Sequence, residues 1–110
     1  MRPIQRFGGV IKVKPEKYAY YAKLHANPWP DVNAMIKECN IANYSIYFKD
    51  GYIFSYYEYH GDNYQDDMKK MAADPVTQRW WAECVPCLTP LATRAPEGLW
   101  ATMEEVYHLD

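Results

Sequence analysis

The sequence predicts an α+β domain of the split βαβ kind, with a four-stranded antiparallel sheet and its helices on one face. Three observations carry this. Four segments alternate in the manner of strands, two stretches of paired helical pattern separate them, and one Asp50-Gly51 dipeptide joins the middle two strands.

Residues 4–13 read as the first strand, with Val10 and Lys12 on one face and Ile11 and Val13 on the other. Gly8-Gly9 inside it predicts a bulge, or a place where a ligand or another backbone comes close. Pro15 then opens a helix, where its missing N–H costs nothing. Tyr18, Tyr21, Ala22 and His25 recur along that helix at the spacing of one face. The helix breaks at Asn27-Pro28-Trp29-Pro30, because a residue before proline is pushed out of the α region. A second helix follows, with Val32, Met35, Ile36 and Cys39 as its apolar stripe.

Residues 41–49 and 52–59 alternate like strands, and Asp50-Gly51 between them signals a two-residue type I′ hairpin turn. Asp62 is the expected cap of a third helix, which runs to about Ala73 and packs through Met68, Met71 and Ala72. Asp74-Pro75 restarts it as a helix through Trp80 and Trp81. A proline-rich connection, 86–98, leads to a last strand at about 101–109. The order β, paired helices, β, β, paired helices, β is that of a ferredoxin-like fold. Such a sheet leaves its second face open. Tyr44, Ile46, Phe48, Tyr52, Phe54, Tyr56 and Tyr57 put large side chains on both faces, so a second subunit or a ligand is expected to cover the bare one. The expectation is a homodimer with sheets facing one another.

At 110 residues the chain reads as a single domain, 1–110, able to bury a core without disulfide or metal. Eleven tyrosines suit surfaces that are half buried and half polar, such as sugar pockets and subunit interfaces, though a core with its hydroxyls at the rim uses them equally well. The net charge is -2 and no basic stripe stands out, so no nucleic-acid partner is expected. The start, Met1-Arg2-Pro3-Ile4, lacks a signal peptide's apolar stretch, and no run approaches membrane-spanning length. A cytoplasmic protein with no membrane association is the expectation. Three cysteines argue against a disulfide framework. Cys84-Val85-Pro86-Cys87 has CxxC spacing, yet it follows a helical segment, whereas a redox pair sits where a strand feeds a helix. No second CxxC completes a zinc site.

No phosphate loop, dinucleotide fingerprint, nucleophile elbow or two-histidine metal motif is present. A histidine among aromatics remains. His25 lies four residues after Tyr21, so both project from one helical face, in the last turn before the Asn27-Pro28 break. From position alone it caps the helix end, favoured there by the dipole, or serves as an acid/base. Trp80 and Trp81 point about 100° apart on their helix, which lets one enter the core while the other faces a cleft. They are packing residues or platforms for the C–H face of a sugar.

Five segments in order resemble one family. Tyr21-Ala22-Lys23-Leu24-His25, Trp29-Pro30, Asn43-Tyr44-Ser45-Ile46-Tyr47, Gln78-Arg79-Trp80-Trp81 and Glu105-Val106-Tyr107-His108-Leu109 look like L-rhamnose mutarotase. The resemblance covers nearly the whole chain. It implies a dimeric ferredoxin-like α/β barrel, an isomerase that interconverts the α and β anomers of L-rhamnose or a similar 6-deoxy sugar without metal or cofactor. Residue by residue, it implies His25 as the proton donor, Tyr21 and Tyr44 as sugar-binding tyrosines, and Trp80 and Trp81 as the tryptophan pair. One region departs. Residues 88–100 lack the family's Asn-Pro-Asp-Asn-Ser-Pro-like loop, and their Pro-Leu and Ala-Pro-x-Gly-x-Trp elements look more like relatives associated with L-fucose and other sugars. Mutarotation of L-fucose and non-catalytic binding of a sugar or metabolite are the alternatives, with a monooxygenase on the same fold a third. The general base is left open among Tyr21, Glu58 and an ordered water.

Overall fold

The computed structural model describes residues 3–110; Met1 and Arg2, which entered the reading of the N-terminus, lie outside them. The elements are β1 (Gln5–Val13), α1 (Tyr18–Ala26), α2 (Pro30–Glu38), β2 (Ile41–Lys49), β3 (Tyr52–Tyr59), α3 (Tyr64–Ala73), α4 (Pro75–Cys84), β4 (Leu88–Thr89) and β5 (Ala101–Met103). β3 lies between β2 and β1, antiparallel to both. The free edge of β1 pairs with β4 at Lys12 and Val13 and with β5 at Gly8–Val10. Taken together, β4 and β5 are the fourth strand of the ferredoxin-like sheet, interrupted by residues 90–100. The expected strand over 101–109 therefore stops at Met103. Beyond it the chain keeps to β1 by side chains, with the Arg6 guanidinium donating to the Glu105 carboxylate at 3.0 Å.

Local chemistry accounts for most boundaries. Asp50 (φ 53°) and Gly51 (φ 85°) both sit in the left-handed region, as a type I′ turn requires. Pro30 starts α2 and Asp31 occupies its first turn, where the helix dipole favours an acid. Asp74 caps α4, its carboxylate accepting from the Thr77 N–H at 2.9 Å and the Thr77 hydroxyl at 2.8 Å. For α3 the cap is Asn63 and not Asp62. The Asn63 side chain accepts from the Asp66 N–H at 3.1 Å, and the Tyr59 hydroxyl accepts from the Asn63 N–H at 2.9 Å. That second bond anchors Asn63 as the cap, and Tyr64 is the first residue of the helix. Along α3 Met68 and Met71 are half-buried, while Ala72, expected to pack with them, is exposed.

The core lies between sheet and helices: Ile11, Val13 and Ile53 from the sheet meet Tyr21, Val32, Trp80 and Cys84 from the helices. Residues opposite one another in a ladder share a face. Val10, Lys12, Tyr47, Tyr52, Phe54 and Tyr56 therefore stand on the other face, away from the helices, and Tyr47 is 64% exposed. β1 has no bulge at Gly8-Gly9. At Gly9 it is side chains, not another backbone, that come close: a Cβ there would meet Ser55 Oγ at 3.1 Å and the Trp100 ring at 3.4 Å. The bulge is in β2, between Ala42 and Ser45. Among the described residues no helix is long and apolar enough to cross a membrane.

Candidate active site

A cavity of about 800 Å³ opens between the helices and the inner sheet face, within the size range of small-molecule sites. His25, Tyr21, Tyr44, Trp80 and Trp81 all line it, so all five residues singled out from sequence meet in one place. α1 delivers Tyr21 and His25 one helical turn apart. Their rings stack with centroids 4.2 Å apart, and the Trp80 ring meets His25 edge-on at 5.3 Å. Trp80 is in turn edge-on to Trp29 at 5.1 Å. His25 Nδ1 lies 2.8 Å from the Tyr21 carbonyl. A carbonyl only accepts, so Nδ1 carries a proton and Nε2 is the nitrogen left for chemistry. The bond to Tyr21 reaches one turn back inside α1, to a carbonyl that is not among the last four of the helix, so it is not the helix-end cap expected on position alone.

Tyr44 reaches the cavity because of the β2 bulge. Asn43 takes a left-handed conformation (φ 52°), which asparagine tolerates better than most residues. Its amide donates to the Glu58 carboxylate at 2.8 Å. The extra residue shifts the alternation, so that Ile41 before it and Ile46 after it both pair with cavity-face residues of β3. Tyr44 stands beside Tyr57, ring centroids 5.4 Å apart. Trp80 is buried and Trp81 is 39% exposed, the division that their angular separation predicts, yet both touch the cavity.

The wall is apolar with hydroxyls set into it. Burial pushes the Tyr21 hydroxyl up, with Tyr44 adding to the effect, and burial does the same to Tyr44 and Tyr57. These phenols are neutral donors across the physiological range. Among the described residues neither the Tyr21 nor the Tyr44 hydroxyl has a hydrogen-bond partner, which leaves both for a ligand. Cys84 also borders the cavity, its thiol pushed up by burial to about 12. That is the reverse of what a redox thiol needs.

Glu58 is not at this site. It pairs with Arg6 and Ala42 on the outer face, where its carboxylate accepts from Asn43, His60 and Tyr56. Its candidacy as base ends there. Residues the sequence reasoning did not assign to the site also line it: Tyr57, Tyr64, Glu97 and Trp100. The Tyr57 and Tyr64 hydroxyls are 2.5 Å apart, and Phe7 stacks on both rings at 5.0 and 4.7 Å. Strand parity could have placed Tyr57 with Ser55 and Tyr59; nothing local marks Tyr64 or Glu97.

A family model for L-rhamnose mutarotase matches residues 6–109. The chain belongs to the L-rhamnose mutarotase family. L-rhamnose mutarotase of Ligilactobacillus salivarius is 31% identical over 110 residues, covering 96% of this chain and 97% of that one. The enzyme of Oceanobacillus iheyensis is 28% identical over 109 residues, covering 97% and 100%. Among solved structures, L-rhamnose mutarotase from Formosa agariphila superposes with a TM-score of 0.73 at 18% identity, over 96% of this chain and 99% of that one. Tetracenomycin F2 cyclase from Streptomyces glaucescens superposes at 0.71 and 17% identity, over 96% and 97%. These two likenesses show the fold. Membership of the L-rhamnose mutarotase family comes from the sequence match, and with it the chain is an isomerase.

Proposed function

We propose that this protein interconverts the α and β anomers of L-rhamnose or a similar 6-deoxy sugar, as a cytoplasmic homodimer, with His25 as the acid. The observation that carries the reading is His25 itself. One ring nitrogen is tied to the Tyr21 carbonyl and the other is left for a ligand, on a wall that also holds unpartnered tyrosine hydroxyls. Mutarotation breaks the bond between C1 and the ring oxygen, lets the carbonyl rotate, and closes the ring on its other face. Protonated His25 gives the Nε2 proton to the ring oxygen as it leaves and takes it back on closure. Tyr21 and Tyr44 hydrogen-bond sugar hydroxyls, while Trp80 and Trp81 pack on the apolar face and methyl group.

Among the described residues no lysine or arginine lines the cavity, which suits a neutral sugar and disfavours a sugar phosphate. The homodimer reading is supported by the aromatic outer sheet face and by Val106, Tyr107 and Leu109 beyond the last strand, each at least 76% exposed. A second substrate has a specific observation in its favour. Glu97 and Trp100 of the divergent 88–100 segment line the cavity, so L-fucose belongs in every assay beside L-rhamnose.

Proton NMR exchange between anomeric resonances tests the assignment. His25→Ala is expected to slow the catalysed exchange by at least about 10²-fold with an unchanged circular dichroism spectrum. A folded variant that retains the wild-type rate would exclude His25 as the acid.

A further inference from the structure

Ring opening needs two proton transfers, and His25 provides one. We propose that Glu97 is the general base that removes the proton from the anomeric hydroxyl, an inference that rests on the mutarotase reading. Of the described residues lining the cavity, Glu97 alone has a carboxylate. It makes no hydrogen bond or ion pair among the described residues. The chain's other carboxylates near the core are engaged elsewhere: Glu83 with the Tyr20 hydroxyl, Asp67 with Tyr59 and Asn40, Asp74 with Thr77, Glu58 on the outer face.

Glu97 is an exposed residue at the edge of the cavity, and the surrounding chain fixes its backbone there. The Gly98 N–H donates to the Ala95 carbonyl at 3.1 Å, closing a turn around Pro96 and Glu97. Leu99 and Trp100 then pack against the core cluster that contains Tyr21 and Trp80, the two rings that flank His25. Glu97 is thus two and three residues from side chains seated on the cluster whose Tyr21 and Trp80 rings flank His25. Tyr21, Tyr44 and Cys84 at the wall are poor bases, since burial favours their protonated forms.

The step balances. A Glu97 carboxylate oxygen takes the proton of the C1 hydroxyl, and the O–H pair becomes the second C1–O1 bond. The bond between C1 and the ring oxygen breaks, its electron pair goes to that oxygen, and His25 Nε2 supplies the proton there. After rotation about C1–C2 the hydroxyl attacks the other carbonyl face, its proton returns to His25, and O1 recovers its proton from Glu97. Nothing is oxidised or reduced, and both groups end as they began.

The test compares wild type with Glu97→Gln by anomeric exchange on L-rhamnose and L-fucose across pH. A base must be ionised and an acid protonated, so the wild-type kcat falls at both ends of the profile. Glu97→Gln is expected to lower kcat at least about tenfold, to keep KM within about threefold, and to lose the fall at low pH while the fall at high pH persists. An unchanged kcat, a retained low-pH fall, or a loss confined to KM would overturn the role. Wild-type protein without activity on any sugar would overturn the mutarotase reading and this inference together; active wild type with an indifferent Glu97→Gln overturns the inference alone.

Discussion

At His25 one ring nitrogen holds the side chain in place and the other is left for chemistry, a division made by the bond to the Tyr21 carbonyl. The spacing of Tyr21 and His25 on a predicted helix was legible in the sequence, because four residues are one turn. The tautomer was not, since it depends on where the ring turns to meet the carbonyl. Glu58 teaches the opposite lesson. Its residue type suited a base, but strand parity turns it to the outer face, where the Asn43 amide, then His60 and Tyr56, hold its carboxyl down to about 2. A carboxyl depressed on folding adds stability that is complete above the ordinary glutamate range, about 4.3, and disappears as pH falls through its folded value. Thermal melts from pH 7 to pH 2 check this: Glu58→Gln is expected to melt below wild type at neutral pH, with the gap closing near pH 2. A gap constant across pH would show that the bonds are insensitive to its charge.

Among the elements, the Asp50-Gly51 hairpin and both proline-started helices follow from local signals that nothing distant opposes. The bulge in β2 had a weaker signal, one asparagine, and the Gly8-Gly9 pair drew attention to the wrong strand. Its consequence is nonetheless large, because the shift of alternation brings Tyr44 to the cavity. Asn43→Gly should keep the left-handed backbone and lose chiefly the bond to Glu58. Asn43→Val should cost about 1–2 kcal/mol in the left-handed conformation and raise KM by displacing Tyr44. Denaturant melts and exchange kinetics on both variants check the pair; equal stability and KM would mean that the bulge does not depend on residue 43. The interrupted fourth strand was also beyond local reading. A two-residue β4 has too little pattern to detect, and the chain returns to β1 as β5 only through register with Gly8–Val10.

For the whole molecule, element order alone was enough to identify the ferredoxin-like sheet, since split βαβ connections leave few arrangements. The cavity was legible in part. His25, Tyr21, Tyr44 and the tryptophans stood out as chemistry or oddities, whereas Tyr64 and Glu97 reach it by long-range packing that no local pattern records. The outer face, with Val10, Tyr47, Tyr52 and Phe54, is expected to bury itself against a second copy. Light scattering on the eluting protein should give twice the chain's 13.0 kDa, and Phe54→Lys should shift it toward monomer with helix content retained. A wild-type monomer would refute the homodimer. The most direct test of the whole account is anomeric exchange of L-rhamnose and L-fucose, each with and without the wild-type protein. Exchange faster than the spontaneous rate for at least one of the two is the predicted result. Tight binding of either sugar with no acceleration would contradict it and make the cavity a binding site without turnover.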